Sequence, residues 1–163
     1  SVCVSLFFGK VIIMIKTEYG YFYSRWEGEY LSELKYFRNN ETGNDCEPMD
    51  EKEKELEKQL REYMNGERKS FSIPLNPNGT PFQKKVWNEL LKIPYGEVRT
   101  YGEIAKAVGC PKGARAGGLG CNKNPIIILI PCHRVVGKNG KLTGYACGID
   151  VKEKFLSLEN AKL

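Results

Sequence analysis

The sequence predicts an α+β protein with two domains, residues 1–76 and 77–163. Two observations lead to this fold class. Short β-type runs separated by glycines fill the first 38 residues, and capped patterns of helical period fill most of the second half. Residues 76–79 read Asn-Pro-Asn-Gly, a cluster of turn formers that suits a domain boundary. A small strand-rich domain is therefore expected to precede a mainly helical one.

The first domain is expected to contain a small antiparallel sheet. The runs at residues 11–15 and 21–23 are rich in β-branched and aromatic side chains, which favours strands within residues 2–38. Residues 39–47 are polar and are interpreted as a loop. Turns are expected near three glycines, namely Gly9, Gly20 and Gly28.

One helix is predicted to follow this sheet. Asp50 and Glu53 stand at capping-box spacing, and Gly66 is expected to end the helix. Residues 69–75 are predicted to form a further strand. The apolar stripe of the helix is expected to consist of Met49, Leu56, Leu60 and Met64.

The second domain opens with two capped helices. Thr80 is expected to cap the first, with Pro81 at its first position, and residues 93–96 close it. The second helix is predicted over residues 101–108, with Thr100 as its cap. The predicted buried face of the first helix is Phe82, Val86, Trp87, Leu90 and Leu91.

A third helix is predicted to begin at Pro111 or Lys112, after a turn at residues 109–110. Two short helices joined in this way fit a helix-turn-helix motif. Further along, residues 137–145 are predicted to form a hairpin wing and residues 151–158 a closing helix. The second domain is thus expected to be winged-helix-like.

The stretch from residue 126 to residue 136 carries the clearest chemical signal. Five aliphatic residues run into Pro131, which ends a strand or helix, and Cys132, His133 and Arg134 follow. A thiol on a fixed backbone beside the chain's one imidazole is a candidate nucleophile, because a nearby base favours the thiolate. For an isolated Cys-His pair the alternative is an inert buried thiol and a core histidine.

The six cysteines, at positions 3, 46, 110, 121, 132 and 147, form no CxxC pair and no zinc-type spacing. Residues 1–8 are apolar but lack a basic segment and a cleavage site, so they are interpreted as a strand and not as a signal peptide. No run approaches the roughly 18 apolar residues of a membrane span. We expect free thiols, no metal, no cofactor, no membrane partner and a cytoplasmic location, or a nuclear one in a eukaryote.

Charge is unevenly distributed along the chain. Residues 1–79 contain 11 Lys and Arg against 14 Asp and Glu, a net charge of −3. Residues 80–163 contain 14 against 6, a net charge of +8. A basic second half favours contact with a polyanion, although many basic faces are simply solvated.

Six motifs follow one another in this basic half: GTPFQKKVW, IPYGEVRTYGEIA, PKGARA, NP, IPCHRV and LTGYA. In this order they resemble the O6-alkylguanine-DNA alkyltransferases over roughly residues 77–160. Proteins of that family move the alkyl group from O6-alkylguanine to one of their own cysteines. The first 75 residues resemble the family's variable N-terminal domain only in size and strand content.

The resemblance implies a role for each matching residue. Cys132 matches the alkyl acceptor, His133 the base that takes the thiol proton through a water, and Glu159 the carboxylate that orients the imidazole. Tyr101 matches the residue that protonates guanine N3 as the base leaves. Asn124 matches an asparagine that braces the turn into the active-site strand.

The resemblance also implies how DNA is bound. The target atom lies inside the duplex, so the nucleotide must be flipped out before attack. Arg115 matches the arginine that fills the vacated place, on a helix expected in the minor groove. The other expected DNA contacts are Thr100, Tyr101, Lys112, Ala114 and Lys123. The expected pocket residues are Ile130, Pro131, Arg134, Tyr145 and Ala146, the last two as pocket wall and backbone donor to O6.

The recognition helix departs from the family pattern. Residues 117–121 read Gly-Gly-Leu-Gly-Cys where the family commonly has a Val-Gly-small run. Glycine costs up to about 1 kcal/mol relative to alanine inside a helix, so the helix length and its DNA contacts stay open. Cys147 stands where a second glycine often follows the tyrosine, and its thiol either lines the pocket rim or packs.

The sequence therefore predicts a monomeric DNA repair protein that transfers an alkyl group once and irreversibly to Cys132. Its partner is expected to be double-stranded DNA, with O6-alkylguanine as substrate and O4-alkylthymine as an open alternative. Three other functions are compatible with parts of the sequence: a non-reactive alkyltransferase-like protein, a helix-turn-helix regulator and a Cys-His hydrolase. Alkyltransferase-like proteins lack the acceptor cysteine, whereas this chain has Cys132. A helix-turn-helix regulator would function without the thiol, and a hydrolase would turn over many times.

Overall fold

A computed structural model of the chain describes residues 2–7, 10–39, 50–113 and 120–163, with the backbone alone for residues 2–7 and 10–13. The chain divides into two compact units, Ser1–Pro77 and Asn78–Leu163. The first combines an antiparallel sheet with a helix, and the second is mainly helical. The predicted α+β class is confirmed.

The first unit contains a four-stranded sheet in the order β1-β2-β3-β4, and all three strand pairs are antiparallel. Gly20 and Gly28 have φ values of 138° and 60°, a region that side chains disfavour, and each lies at one of the tight turns. Gly9 and residues 40–47 of the predicted loop lie outside the described residues. The strands are β1 (Val2–Phe7), β2 (Lys10–Thr17), β3 (Gly20–Glu27) and β4 (Tyr30–Phe37).

Helix α1 (Glu51–Met64) begins where its cap was predicted. The Asp50 side chain accepts a hydrogen bond from the backbone N–H of Glu53 at 3.0 Å. Gly66, with φ of 76°, follows the C-cap residue and ends the helix. Of the predicted apolar stripe, Leu56, Leu60 and Met64 are buried, and Met49 lies outside the described residues.

The strand predicted over residues 69–75 is wrong. Only Leu75 forms an isolated parallel bridge, opposite Leu31. The contact consists of Leu31 N–H donating to the Pro74 carbonyl at 2.9 Å and Asn76 N–H donating to the Leu31 carbonyl at 2.8 Å. Pro74 has no N–H to donate, so it cannot continue a hydrogen-bonded ladder.

The second unit opens with α2 (Pro81–Leu90) and α3 (Tyr101–Ala107), each with a complete capping box at its N-terminus. Thr80 caps α2 with Gln83, and Thr100 caps α3 with Glu103. The predicted buried face of α2 is only partly right. Val86, Trp87 and Leu90 are buried, but Phe82 is 37% exposed and Leu91, the C-cap residue, is 47% exposed.

The third helix does not begin at Pro111 or Lys112 as predicted. Residues 110–113 instead form a turn, closed by a hydrogen bond from Gly113 N–H to the Cys110 carbonyl at 2.8 Å. This turn uses the residues that the helix was expected to occupy. Residues 114–119 lie outside the described residues, and residues 120–122 are helical.

The expectation of a strand before the nucleophile is also wrong. Residues 126–130 are all buried, but they form a turn in which Leu129 N–H donates to the Ile127 carbonyl and Ile130 N–H to the Ile126 carbonyl. Ile128 has a φ of 67°, which no strand accommodates. An apolar run shows that a segment is buried but does not determine its backbone conformation.

After this turn the chain forms a short 3-10 helix (Cys132–Arg134) and strand β6 (Val135–Val136). Strand β6 pairs in parallel with β5 (Arg99–Thr100), which places the Cys132 segment beside the N-terminus of α3.

No hairpin forms at residues 137–145, so the predicted wing is wrong. A 3-10 turn (Lys138–Gly140) is followed by irregular chain, and Gly137 N–H donates to the Lys141 carbonyl at 2.7 Å. The carbonyls of Thr143 and Gly144 accept hydrogen bonds from side chains and not from a neighbouring strand. The closing helix α4 (Ile149–Leu158) begins two residues before the predicted one.

Candidate active site

Cys132 lies at the start of the 3-10 helix, directly after Pro131, and only 5% of its surface is exposed. Asn124 fixes its surroundings through both ends of one amide. The amide Nδ2 donates to Cys132 Sγ at 3.1 Å and to the Ile130 carbonyl at 2.8 Å. The amide Oδ1 accepts from Ile126 N–H at 2.9 Å. Asn124 therefore ties the buried turn and the thiol together.

Burial raises the pKa of the Cys132 thiol above its ordinary value of 9.0. The hydrogen bond from Asn124, the charge of Lys152 and a hydrogen bond with Tyr145 act in the opposite direction without reversing the shift. The resting side chain is therefore a neutral thiol at neutral pH. Nucleophilic attack requires a base that removes its proton.

The neighbouring His133 is fully buried and is paired with a carboxylate. Its Nε2 lies 2.7 Å from Glu159 Oε2, at the C-terminal end of α4. Arg134 contacts the same carboxylate twice, with Nε 2.8 Å from Oε1 and Nη2 3.1 Å from Oε2. Such a two-point contact fixes the plane of the carboxylate as well as its position.

Two residues between α2 and β5 complete this network. Gly96 N–H donates to Glu159 Oε1 at 3.2 Å, and the Ile93 carbonyl accepts from Arg134 Nη1 at 2.7 Å. Gly96 has a φ of 80°, and a Cβ there would lie 3.2 Å from the Glu159 carbonyl oxygen. The backbone therefore requires glycine at this position.

The network determines which of its members carry a charge. Burial opposes ionisation of Glu159, but hydrogen bonds and charges from His133 and Arg134 outweigh it and lower the pKa to about 2. Burial lowers the pKa of His133, partly offset by Glu159. A neutral imidazole that donates from Nε2 to the carboxylate has its lone pair on Nδ1. That Nδ1 is buried and hydrogen-bonds to no described protein atom.

Tyr101 is the first residue of α3 and is half-buried. Its hydroxyl donates to the Thr143 carbonyl at 3.1 Å, with the Gly144 carbonyl at 3.4 Å. Burial raises the pKa of the phenol, as do the nearby thiols of Cys121 and Cys132. The phenol therefore keeps its proton at neutral pH.

The other predicted site residues differ in their burial and in the contacts that they make. Tyr145 is half-buried and lowers the pKa of Cys132, and Ala146, the next residue, is exposed. Thr100 uses its hydroxyl to cap α3, and Lys112 and Lys123 are exposed. Three further predicted residues are buried around the nucleophile, namely Ile130, Pro131 and Arg134. Two others, Ala114 and Arg115, lie outside the described residues.

Sequence reasoning missed three residues at this site. Lys152 is fully buried on α4, Cys121 is buried near Cys132, and Gly96 donates to Glu159. A signal for Lys152 existed, because it precedes Phe155 by three positions and Leu156 by four, on the buried face of the helix. No pattern in the sequence indicated the other two.

The described residues contain no group of three or more His, Cys, Asp or Glu side chains that could hold a metal ion. None of the described helices combines the length and apolar character needed to cross a bilayer.

Fold and site together define a class: an α+β chain of two units, of which the second is mainly helical and contains a buried Cys-His-Glu site. Family models agree with this architecture. The model described as 6-O-methylguanine DNA methyltransferase, DNA binding domain, matches residues 81–161. The model described as 6-O-methylguanine DNA methyltransferase, ribonuclease-like domain, matches residues 9–77.

Individual proteins give the same result. The methylated-DNA–protein-cysteine methyltransferase of Methanosarcina acetivorans is 61% identical over 66% of this chain and 69% of its own length. That of Methanosarcina mazei is 50% identical over 83% and 85%. The crystal structure of Mycobacterium tuberculosis OGT in complex with DNA superposes with a TM-score of 0.81, at 41% identity, over 90% of this chain and 91% of that one. The chain belongs to the methylated-DNA–protein-cysteine methyltransferase family.

Proposed function

We propose that this protein repairs O6-alkylguanine in duplex DNA by a single, irreversible transfer of the alkyl group to Cys132. One observation carries the proposal: the buried thiol is followed directly by an imidazole that a carboxylate holds in place. An inert core cysteine needs no such arrangement. The relatives named for methylated DNA supply the substrate class.

The reaction needs one base and one acid. His133 Nδ1 accepts the thiol proton through a water, and Glu159 stabilises the resulting imidazolium. The sulfur forms a bond to the alkyl carbon as the bond from that carbon to O6 breaks. Tyr101 donates its proton to guanine N3, so the leaving group is neutral guanine. The proton held by His133 can then return to the phenolate, and the thioether on Cys132 remains.

The remaining pocket residues position these groups. Asn124 holds the sulfur and the buried turn, and Arg134 holds the carboxylate of Glu159. Tyr145 forms the wall over the thiol, and the backbone N–H of Ala146 is the proposed donor to O6. Because Cys132 is almost fully buried, this wall must move to admit the base.

DNA binding is assigned to the basic second unit. Its +8 charge suits the phosphate backbone, and Arg115 is proposed to enter the stack from the minor groove as the guanine flips out. The other proposed DNA contacts are Thr100, Tyr101, Lys112, Ala114 and Lys123. O4-alkylthymine stays open as a second substrate. The domains are proposed to be residues 1–76 and 77–163, in a monomer that acts in the cytoplasm, or in the nucleus of a eukaryote.

Intact mass spectrometry tests this function. With excess O6-methylguanine duplex, one methyl group per protein is expected, on the peptide that contains Cys132. The Cys132→Ser variant is expected to bind the duplex and to gain no mass. Continued turnover, or methylation at Cys121 or Cys147, would exclude a sacrificial Cys132.

A further inference from the structure

The side chain of Trp87 joins α2 to the helical residues 120–122. Its indole is only 1% exposed, and its Nε1–H donates to the Gly120 carbonyl at 2.8 Å in the interior of the second unit. Gly120 lies in the last turn of a helix that ends at residue 122, and backbone carbonyls in a last turn have no N–H partner within their helix. The indole therefore satisfies a buried carbonyl at a helix end.

Close packing on two sides fixes the place of this contact. A Cβ at Gly79 would lie 2.4 Å from the edge of the Trp87 ring, so the ring fills space that only a glycine leaves open. A Cβ at Gly120 would lie 3.1 to 3.2 Å from three carbons of Val86, so the backbone of Gly120 lies directly against α2. Moving either the ring or the Gly120 backbone would therefore lose close packing.

This contact lies between two residues to which parts of the repair reaction are assigned. Arg115 precedes Gly120 by five positions, and Asn124 follows it by four. Asn124 is held separately, because its amide binds the buried turn and the Cys132 sulfur. The thiol therefore has its own support, and the hydrogen bond from Trp87 fixes the end of the segment that carries Arg115.

We propose that Trp87 is a positioning residue for base flipping: its indole N–H holds the segment that carries Arg115 in the place from which the arginine enters the duplex. The inference rests on the proposed function, in which Arg115 fills the space of the flipped guanine. A misplacement of about 1 Å, even far from the chemistry, can slow a reaction by about a hundredfold, so the loss of one anchor is measurable. Transfer from a free base needs no flipping and does not depend on this anchor.

Replacing one group of the indole tests the proposal at nearly constant volume. The chain has two tryptophans, so Trp87 is the only one in the Trp26→Phe variant. Expression of this variant in a tryptophan auxotroph supplied with 3-benzothienylalanine puts sulfur in place of the Nε1–H, and the ring loses its donor. Trp26→Phe with ordinary tryptophan is the matched control, because it removes another indole N–H, which donates to Ser24 Oγ at 3.0 Å in the first unit.

Each protein is assayed, where circular dichroism shows it to be folded, for transfer from an O6-methylguanine duplex and from free O6-benzylguanine. We expect the analogue to slow transfer from the duplex by about tenfold and transfer from the free base by less than about twofold. The control should match the wild type on both substrates. With Arg115→Ala also present, the analogue should have little further effect, because two residues that act through one step are not additive.

Three results would overturn the proposal: an unchanged duplex rate, an equal loss on both substrates, or a tenfold loss that persists in the Arg115→Ala background. Trp87→Phe, which keeps an aromatic ring and lacks the donor, is judged by the same ratio of duplex to free-base rates if the analogue protein does not fold. Failure of both to fold would assign Trp87 to stability alone and also overturn the proposal. Failure of the wild type to methylate Cys132 would instead reject the proposed function.

Discussion

At the scale of single residues, burial governs the chemistry of this protein. It raises the pKa of Cys132 and lowers the pKa of His133. It would also raise the pKa of Glu159, but the hydrogen bonds and charges of His133 and Arg134 lower that pKa to about 2. The site therefore rests as thiol, imidazole and carboxylate. The proposed reaction therefore depends on moving a proton at the moment of attack and not on a thiolate already present.

Glu159→Gln tests the importance of the carboxylate. The substitution removes the group that raises the proton affinity of His133 and leaves Arg134 without its counter-charge. Breaking a buried ion pair costs about 3–5 kcal/mol of stability. We expect transfer to slow by about tenfold or more, measured well below the unfolding temperature. Glu153→Gln, exposed on the same helix, is the control, and wild-type transfer by folded Glu159→Gln would contradict the assigned role.

The same pKa shifts predict how stability depends on pH. The pKa of His133 is lowered from 6.5 and that of Glu159 from 4.5 to about 2, so the unfolded chain binds protons that the folded protein does not. Stability should decline as pH falls below 6.5 and more steeply between about 4.5 and 2. Burial raises the pKa of Cys121 from 9.0 to about 12, so stability should also decline above pH 9.

Urea unfolding at a series of pH values measures this profile. In the Glu159→Gln variant, the steep decline of the free energy of unfolding below pH 4.5 should be absent. A free energy of unfolding that stays constant from pH 6.5 to pH 3 would show that these groups are not coupled to folding.

At the scale of elements, the site is built from segments that are not regular secondary structure. The thiol follows a buried turn at residues 126–130, and the pocket wall is irregular chain held by Lys152 and Tyr101. Two residues of the site lie at helix ends, because Tyr101 is the first residue of α3 and Glu159 is the C-cap of α4. The irregular segments are held by side-chain hydrogen bonds, so single side chains should matter there more than in the helices.

Asn124→Ala tests this view of the buried turn. It removes the amide that contacts the Ile126 N–H, the Ile130 carbonyl and the Cys132 sulfur. Leaving buried polar groups without partners costs about 1–3 kcal/mol each. Because the Asn124 hydrogen bond lowers the pKa of Cys132, its loss should also slow transfer.

The exposed Asn122 provides the control for that experiment. Asn122→Ala should change the free energy of unfolding by no more than about 0.5 kcal/mol. Equal effects of the two substitutions on stability and on transfer would mean that the bracing contacts of Asn124 are unimportant.

At the scale of the whole molecule, charge and chemistry lie in the same half of the chain. The proposed reactive site and the +8 charge both belong to residues 80–163, while residues 1–79 carry a net charge of −3. DNA affinity is therefore expected to depend on phosphate contacts from the second unit and to fall steeply as salt is added. Binding of the Cys132→Ser variant that is insensitive to salt would contradict this expectation.

Arg115→Ala distinguishes base flipping from simple groove binding. If Arg115 fills the place of the flipped guanine, its loss should slow transfer from duplex DNA by about tenfold or more, because unstacking costs a few kcal/mol. Free O6-benzylguanine needs no flipping, so its reaction with Cys132 should be nearly unchanged. Equal losses on both substrates would assign Arg115 to the fold or the pocket. Lys106→Ala, at an exposed basic residue of α3 to which no DNA contact is assigned, is the control for loss of charge.

The sequence by itself determined the fold class of this protein and the starts of its first three helices. The caps at Asp50, Thr80 and Thr100 follow from local hydrogen bonding, and such contacts depend only on residues three positions apart. The motif around Cys132 and His133 likewise marked the segment to which we assign the proposed alkyl transfer.

Only the tertiary structure decided how that segment is arranged. Residues 126–130 are buried as predicted from their composition, but burial is compatible with strand, helix or turn, and the hydrogen bonds of Asn124 stabilise a turn. The predicted hairpin wing does not form for a related reason. The side chains of Lys152 and Tyr101 donate hydrogen bonds to the carbonyls of Thr143 and Gly144, so these carbonyls do not pair with a neighbouring strand. These partners are eight or more positions away along the chain, so no local sequence pattern could reveal them. The composition of the chain likewise gives no indication that the ammonium of Lys152 is buried at this site.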